Sequence, residues 1–451
     1  MRRALFVLSL LALSFSNLPL ATANADRNLD AMIERELPAL VSTYKALHSA
    51  PELSHYEVKT SALLAQELRS LGFTVTERIG KYRRAEWKGY GVAGVMKNGD
   101  GPVVLVRADM DALPVEEKTG LPYASTVRVK TDSGQEVGVM HACGHDIHVT
   151  SLIGTARMLA ALKAEWRGTV VLVGQPAEET SDGAKAMLDD GLYSKIPKPD
   201  YAIALHDQAD IEAGKVGMTP GYALANVTSV DITVRGIGGH GARPESTKDP
   251  IVLTSQIILA LQTIVSRENS PLDPVVVTVG SIHGGSRYNI IPDEVKLQLT
   301  IRSYKEEVRR RIVASIERIA AGIAQAAGLP SELAPVVKVN ELEGTLATYN
   351  DPALTGRLSA LFSKTLGADN VVTYPPAMVG EDFGRFGLEW NQIPAVIFWV
   401  GAAEASKVEE SRRTGKPLPS LHSPLFAPLP EPTIRTGVKA MTSAVLDLMK
   451  R

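Results

Sequence analysis

The 451-residue sequence contains a single cysteine, Cys143, so the chain cannot form an internal disulfide bond. Aromatic residues make up only 5% of it, and 48 basic residues are balanced by 50 acidic ones. Without a basic excess the chain is not expected to bind nucleic acid. No segment after the amino terminus approaches the roughly 18 unbroken apolar residues that a membrane-spanning helix requires. An unpaired thiol in an exported protein needs a special role, and metal ligation is one.

The first 25 residues have the pattern of a secretory signal peptide. A basic start at Arg2 and Arg3 is followed by an apolar stretch and by the small residues Ala23 and Ala25, which have the spacing of a cleavage site. The apolar stretch is too short for a lasting membrane anchor. Cleavage after Ala25 removes two basic residues and no acidic one, so the formal charge changes from -2 to -4. We therefore expect an exported protein, periplasmic or secreted, that is free of the membrane after cleavage.

One nine-residue stretch concentrates the groups that bind transition metals. Residues 140–148 read Met-His-Ala-Cys-Gly-His-Asp-Ile-His and contain the cysteine, three histidines and an aspartate. The thiolate of Cys143 and the imidazole of His145, in a turn opened by Gly144, can point at one borderline-soft metal ion. A buried, inert cysteine near solvated histidines would show the same motif, so the motif alone does not decide.

Further candidate groups come directly after apolar runs that read as buried strands: Asp109 and Asp111 after 103–108, Glu178 and Glu179 after 169–174, and His206 after 201–205. Open α/β sheets place their ligand crevices at the carboxyl ends of strands. Two adjacent glutamates allow one to ligate metal while the other carries protons. Aspartates that cap a loop, or a solvated acidic loop, are the alternative interpretations.

The order of predicted elements indicates an α/β fold with two domains. We expect a larger catalytic domain, formed by residues 26–225 and 336–451, with a mixed, largely parallel sheet flanked by helices. A β-α-β-β-α series within residues 226–335 predicts a smaller α+β domain inserted into it, which would serve as a lid or a dimerisation unit. The segment Asn98-Gly99-Asp100-Gly101 predicts a hairpin that joins runs 90–96 and 103–108.

Taken together, these motifs resemble the zinc-type aminoacylase and carboxypeptidase family, in its branch of hippurate hydrolases, N-acyl amino acid amidohydrolases and auxin-conjugate hydrolases. The resemblance covers essentially the whole chain after the signal peptide. It is carried by HSAPELSHYE at 48–57, RADMDALP at 107–114, MHACGHDIH at 140–148, QPAEE at 175–179, His206, GGHGA at 238–242, NIIPD at 289–293, GEDF at 380–383 and LHS at 421–423.

The resemblance implies a site with two divalent transition-metal ions and names the residues that would form it. The implied metal ligands are Cys143, His145, Glu179, His206 and His422. A mixed sulfur, nitrogen and oxygen donor set suits zinc, with manganese, cobalt or nickel as alternatives, and is poor for magnesium or calcium. Many members of the wider family carry a metal-binding His-x-Asp where this chain has Asp109-Met110-Asp111. In the branch that this chain resembles, Cys143 and His145 take over ligation, so we expect Asp111 to support a ligand and leave Asp109 without a role.

The remaining roles also follow from the resemblance. Glu178 would act as the general base, and His240 of the smaller domain would stabilise the tetrahedral oxyanion. Asn289 is a candidate contact for the substrate carboxylate, although a turn-forming asparagine is an alternative. His141 and His148 would be supporting or structural. The implied substrate is an N-acyl amino acid or a peptide, and the inserted domain would form a homodimer.

Three other functions remain open from the sequence. A metallo-carboxypeptidase or dipeptidase would use the same site. A cysteine hydrolase would use Cys143 as nucleophile with a histidine base. A solute-binding or metal-storage protein would keep the ligands but would not need Glu178.

Overall fold

The computed structural model of the protein describes the backbone of residues 19–388 and 393–450, and the side chains of these ranges except at 19–27, 341–343 and 388. Its strands are β1 (Thr74–Ile79), β2 (Gly91–Asn98), β3 (Val103–Asp109), β4 (Arg128–Lys130), β5 (Glu136–Gly138), β6 (Gly168–Gln175), β7 (Tyr201–Glu212), β8 (Val216–Met218), β9 (Gly221–Leu224), β10 (Asn226–Arg235), β11 (Gly239–His240), β12 (Val275–Gly284), β13 (Ile290–Ile291), β14 (Glu294–Ser303), β15 (Val336–Thr345), β16 (Thr348–Asn350), β17 (Val371–Thr373) and β18 (Ala395–Ala403).

The helices of the described residues are α1 (Pro19–Ser49), α2 (Val58–Ser70), α3 (His145–Ala161), α4 (Gly183–Asp189), α5 (Leu192–Lys195), α6 (Pro250–Thr263), α7 (Glu306–Ala326), α8 (Pro352–Thr365), α9 (Gly384–Leu388), α10 (Ala405–Thr414) and α11 (Pro430–Leu448). The apolar positions that predicted the first helix, among them Ile33, Leu37, Leu40 and Tyr44, are buried as expected. Of the predicted signal peptide, residues 1–18 lie outside the described residues and the backbone of 19–25 belongs to α1. Cleavage and export therefore stay predictions.

The larger domain is built on an eight-stranded sheet in the order β1-β2-β6-β3-β7-β18-β8-β17. Strands β6, β3, β7 and β18 are parallel neighbours, as are β8 and β17, and the other neighbours are antiparallel. Buried residues of α1, α2, α3, α8 and α11 form the core on one face, and those of α4, α5 and α9 form the core on the other. The expected mixed, largely parallel sheet flanked by helices is confirmed.

The predicted hairpin between the second and third strands is wrong. β2 pairs with β1 and β6, whereas β3 pairs with β6 and β7, so β6 lies between the two expected partners. The turn sequence at residues 98–101 is present, but the chain crosses over β6 instead of folding back. All eight residues of β6 are buried. Burying this apolar strand between β2 and β3 stabilises the fold more than a direct pairing of β2 with β3 would.

The smaller domain is a four-stranded antiparallel sheet in the order β12-β14-β10-β15, on which α6 and α7 pack. Its last strand, β15, pairs with β10 through residues 336–345. The chain therefore returns to the larger domain after residue 345, ten residues beyond the limit expected from the sequence. That limit rested on the proline-rich segment 330–335, which forms a connection inside the smaller domain. The other expected domain limits stay predictions.

One helical segment of the smaller domain has an unusually apolar surface. Residues Pro250–Glu268, which are α6 and a π-helical turn, are long and apolar enough to cross a membrane by length and composition, and 33% of them are buried. Leu259 is 73% exposed and Val252 is 53% exposed. An apolar helix face of this kind commonly marks an interaction surface in a protein.

Candidate metal centre

The Cys143 turn depends on Gly144, the residue directly before α3. Gly144 has a φ of +76°, in the left-handed region that favours glycine. A Cβ at this position would lie 2.2 Å from Oδ2 of Asp207, so a larger residue would displace that carboxylate. The turn places Cys143 and His145 side by side, and both are buried.

His145 is oriented by a carboxylate on one of its ring nitrogens. Its Nδ1 lies 3.2 Å from Oδ1 of Asp111, and the hydroxyl of Ser54 donates a hydrogen bond to Oδ2 of the same aspartate at 2.6 Å. A carboxylate at one nitrogen fixes the tautomer and leaves the other nitrogen free to ligate. The free Nε2 of His145 is buried and has no hydrogen-bond partner. Asp111 thus lies where a supporting residue would lie.

His206 lies within β7 and presents a lone pair to Cys143. Its Nδ1 is 2.7 Å from the backbone carbonyl oxygen of Asp207. A carbonyl only accepts hydrogen bonds, so Nδ1 carries a proton, and in the neutral ring Nε2 keeps the lone pair. That Nε2 lies 3.6 Å from Sγ of Cys143.

The two glutamates and His422 complete the cluster. The backbone amides of Glu178 and Glu179 donate to the carboxylate of Asp111 at 3.1 and 3.0 Å. Their side-chain oxygens lie 3.9 and 3.8 Å from Nε2 of His145. His422 has a φ of +68°, and its Nε2 lies 3.4 Å from Oε2 of Glu179. A non-glycine residue in this region of backbone space carries strain that is typical of functional sites.

The five predicted ligands come together and fit a metal ion. The donor atoms of Cys143, His145 and His206 lie within 4.8 Å of one another, as do those of Cys143, Glu179 and His422. Two of these atoms, Nε2 of His145 and Oε1 of Glu179, are buried without a hydrogen-bond partner. Buried polar atoms are costly unless something pairs with them, and a cation would pair with both.

The charges of the cluster favour a cation and disfavour a nucleophilic cysteine. Burial raises the pKa of the Cys143 thiol well above its usual value, and the carboxylates of Glu179 and Glu178 raise it further. Burial lowers the pKa of His145, but Asp109 and Asp111 outweigh this effect and raise it to about 10. A reactive cysteine needs neighbours that lower its pKa, and these carboxylates do the opposite. A bound dication would take the place of the protons that the cluster otherwise holds.

The cluster lies in a cavity of about 970 Å³ between the two domains. Cys143, Glu178, Glu179, His206 and His422 line it from the larger domain. Val227, Ser229 and Arg302 line it from the smaller one. The volume is in the range of pockets that hold small molecules.

His240 and Asn289 are not brought into this cavity. Both lie beside each other in the smaller domain, where Gly241 donates its backbone amide to the carbonyl of Asn289 at 2.9 Å. Both are exposed, and neither is among the residues that line the cavity of the same chain. The glycine-rich segment that carries His240 forms the short pairing of β11 with β13 and faces solvent.

Comparison with known proteins identifies the family. Residues 105–413, more than half of the chain, match the model of peptidase family M20/M25/M40. The chain belongs to this family. It is 38% identical over 342 residues to a hippurate hydrolase of Campylobacter jejuni, covering 75% of this chain and 82% of that protein. It is 36% identical over 347 residues to an N-acetyl-L-cysteine deacetylase of Bacillus subtilis, covering 77% of each protein.

Two further matches agree with this assignment. The chain is 34% identical over 370 residues to thermostable carboxypeptidase 2 of Saccharolobus solfataricus, covering 82% of this chain and 87% of that protein. The crystal structure of the Bacillus subtilis YXEP protein, a dinuclear metal-binding peptidase from the M20 family, superposes with a TM-score of 0.72 at 28% identity, covering 92% of this chain and 99% of that one. The chain is a metal-dependent hydrolase of amide bonds.

This M20 hydrolase also contains a buried charge network that the sequence did not reveal. Arg107 is fully buried at the end of β3. Its guanidinium donates to Asp109 at 2.7 Å, to Glu381 at 2.8 Å and to Gln175 at 2.8 Å, and Asp382 lies 3.3 Å away. Arg107 holds the pKa of Asp109 well below its usual value, although burial acts in the opposite direction. An arginine within an otherwise apolar strand is the sequence signal of this network.

We expect Arg107→Met to lower the free energy of unfolding of the metal-free protein by about 3–5 kcal/mol, because it leaves buried carboxylates without their cation. Urea denaturation measures this loss. The matched control is Arg357→Met, whose partner Asp447 is at 2.7 Å but whose own side chain is 46% exposed. The control should change the midpoint little, since exposed pairs contribute little. If the two variants unfold at the same urea concentration, Arg107 does not stabilise the fold more than the exposed Arg357 does, and the prediction is contradicted.

His148 and Asp109 extend this network toward the cluster. His148 contacts Asp109 through Nδ1, and its Nε2 accepts a hydrogen bond from the backbone amide of Asp207 at 2.9 Å. His148 thus links the carboxylate of Asp109 to the backbone of β7, which agrees with a structural role. His141 is also buried, but neither ring nitrogen has a hydrogen-bond partner. Burial lowers its pKa to about 4, and we have no physical account of this residue.

Proposed function

We propose that the chain hydrolyses N-acyl amino acids to a carboxylic acid and a free amino acid. Its relatives include proteins named for hippurate and for N-acetyl-L-cysteine, which are both N-acyl amino acids. The observation that carries the proposal is Glu178, which adjoins the five metal-binding residues in one cavity that is also lined by an arginine of the smaller domain.

This arginine is Arg302 on β14, in the wall formed by the smaller domain. It is half-buried and forms no ion pair with any described side chain. Burial lowers its pKa, and no described carboxylate offsets that effect. A guanidinium in this position matches the planar carboxylate of an amino acid. Arg302 is therefore a second candidate contact for the free carboxylate beside Asn289, and it lies in the cavity of its own chain.

The metal-binding residues and Glu178 divide the chemistry. Two divalent ions, zinc in the first place and manganese, cobalt or nickel as alternatives, would be held by Cys143, His145, Glu179, His206 and His422. Such ions supply Lewis acidity and lower the pKa of water. Glu178 accepts the proton of the attacking water and returns it to the leaving nitrogen. Asp111 keeps His145 oriented by its hydrogen bond.

Arg302→Met tests the proposed substrate class. We expect KM for an N-acetyl amino acid to rise by about tenfold or more, because a hydrogen-bonded charge pair is lost. The same variant should change the turnover of the matching N-acetyl amino acid amide little, since that substrate lacks the carboxylate. An equal effect on both substrates, measured by amino acid release, would contradict the role of Arg302.

A metallo-carboxypeptidase or dipeptidase is the second candidate function. The relative from Saccharolobus solfataricus is named a carboxypeptidase, and a peptide also ends in a free carboxylate that Arg302 would bind. Assays of N-acetyl amino acids beside dipeptides with the same carboxyl-terminal residue distinguish the two. Faster cleavage of the dipeptides would favour the second candidate.

A homodimer would explain the position of His240, and we propose that two chains associate through the smaller domain. The exposed apolar face of α6 is one support, and Tyr288, which is 96% exposed, lies on the same domain. In such a dimer His240 would reach the cavity of the partner chain and stabilise the oxyanion there.

Mixing inactive chains tests this arrangement. His240→Ala and Glu178→Gln should each be inactive alone, and their mixture should recover part of the activity, because a heterodimer contains one intact composite site. Subunit exchange is checked with differently tagged chains. No recovery after verified exchange, or a monomer by light scattering at the assay concentration, would refute the composite site.

A further inference from the structure

The connection between β1 and β2 is much longer than these strands require. The two strands are antiparallel neighbours, and Ile79 pairs with Gly91 at their ends. Connections in such hairpins usually contain 2–5 residues, whereas here residues 80–90 intervene. We call this segment the strap. A connection that exceeds the structural need is commonly functional.

The base of the strap is closed and fixed. A Cβ at Gly89 would lie 2.5 Å from the carbonyl oxygen of Gly80, so the two arms of the strap touch. The amide of Gly80 donates to Asp190 at 3.1 Å, and that of Lys81 donates to the carbonyl of Ala186 at 2.9 Å. The strap is therefore attached to α4 and extends from a narrow neck.

The strap forms part of the wall of the catalytic cavity, but its tryptophan is already covered. His55 stacks on Trp87 with the ring centroids 3.6 Å apart and the planes at 8°. The guanidinium of Arg84 lies 4.6 Å from the centroid of the indole. It must occupy the opposite face, because His55 fills the first. Trp87 thus offers no free face on which a substrate ring could stack.

The strap contributes positive charge to the cavity instead. It contains four basic residues and the single acid Glu86. Lys81 and Arg83 line the cavity and form no ion pair with any described side chain, whereas Arg84 pairs with Asp132 at 3.3 Å. The nearby carboxylates Asp182 and Asp189 are bound to His55 and Lys185. Among the described side chains, Lys81 and Arg83 are thus two cavity-lining cations without an ion-pair partner.

We propose that Lys81 and Arg83 of the strap select substrates whose acyl group carries its own carboxylate, as in the monoamide of a short dicarboxylic acid. This inference rests on the proposed function. With the amino acid carboxylate bound by Arg302 at the smaller domain, the acyl group extends toward the larger domain, where the strap lies. Water adds its hydroxyl to the acyl carbon and a proton to the nitrogen, so the products are a dicarboxylate and an amino acid.

The test compares N-succinylalanine with N-succinamoylalanine, which has the same shape but a neutral terminal amide. We expect kcat/KM to be about tenfold or more higher for the succinyl substrate, because hydrogen bonds to charged groups are the stronger ones. The double variant Lys81→Gln and Arg83→Gln should abolish this preference and leave cleavage of the succinamoyl substrate within about twofold. The matched control Lys88→Gln removes a strap cation that does not line the cavity, and it should keep the preference.

Each other outcome overturns the inference. Equal cleavage of the two substrates by the natural protein means that the strap does not recognise the terminal carboxylate. If the double variant keeps the preference for the succinyl substrate, residues other than Lys81 and Arg83 recognise the terminal carboxylate. If the double variant loses the same factor in kcat/KM for both substrates, the strap attracts anions in general. The same conclusion follows if Lys88→Gln lowers the preference as much as the double variant does. N-acetylalanine serves as a third substrate that tests the proposed function alone. If the proposed function is wrong, all three substrates stay intact, whereas failure of this inference alone leaves N-acetylalanine cleaved.

Discussion

Replacing Glu178 with glutamine is expected to lower turnover of N-acyl amino acids by about 100-fold or more while the protein keeps its metal. Glu178 is buried beside the cluster, and burial together with the carboxylates of Glu381 and Glu179 raises its pKa in the metal-free protein. A carboxyl group whose proton affinity is raised is suited to accept and return a proton. Glutamine has nearly the same shape but cannot carry that proton.

The neighbouring residue provides the matched control. Glu179→Gln removes a carboxylate whose oxygen lies 3.4 Å from His422, so this variant should lose metal as well as activity. Metal analysis and turnover measured on the same preparations separate the two roles. Full activity in Glu178→Gln would place the base elsewhere. Asp109 would then be the next candidate, although its carboxylate is already bound to Arg107 and His148.

Four of the five metal ligands that the family resemblance implies also stand in sequence patterns that chemistry restricts. Cysteine and histidine two residues apart point to a transition metal, and acids after apolar runs point to strand ends. The carboxyl ends of β3 and β6 meet at one edge of the sheet, which brings Asp109, Asp111, Glu178 and Glu179 together. The convergence of His422, from a loop almost 280 residues after Cys143 in the chain, was implied by the family resemblance rather than by any pattern in the sequence.

Other features depended on contacts between distant segments and could not be predicted. The hairpin between β2 and β3 was wrong because a later strand, β6, occupies the place between them. β7 continues to Glu212 past His206, since it pairs with β18 along that length, although its polar residues suggested an earlier end. The partners of Arg107 lie on three segments, the farthest at Glu381 and Asp382. No local pattern shows that these charges neutralise one another.

Removal of metal is expected to abolish hydrolysis altogether. Without it, burial raises the pKa of the Cys143 thiol and of the Glu178 carboxyl, which favours the protonated form of both groups. The buried Nε2 of His145 and Oε1 of Glu179 also stay without partners. Such a site lacks the Lewis acid that polarises the amide carbonyl and lowers the pKa of the attacking water. Restored metal should return activity in proportion to the metal that is bound.

The most direct measurement is the metal content of the purified protein together with its activity on an N-acyl amino acid, before and after chelation and after stepwise return of zinc. We predict a content near two ions per chain, loss of activity on chelation, and recovery as zinc returns. Cys143→Ala should bind less metal in the same titration. Full activity in a preparation shown to be free of metal would contradict a metal centre formed by Cys143, His145, Glu179, His206 and His422.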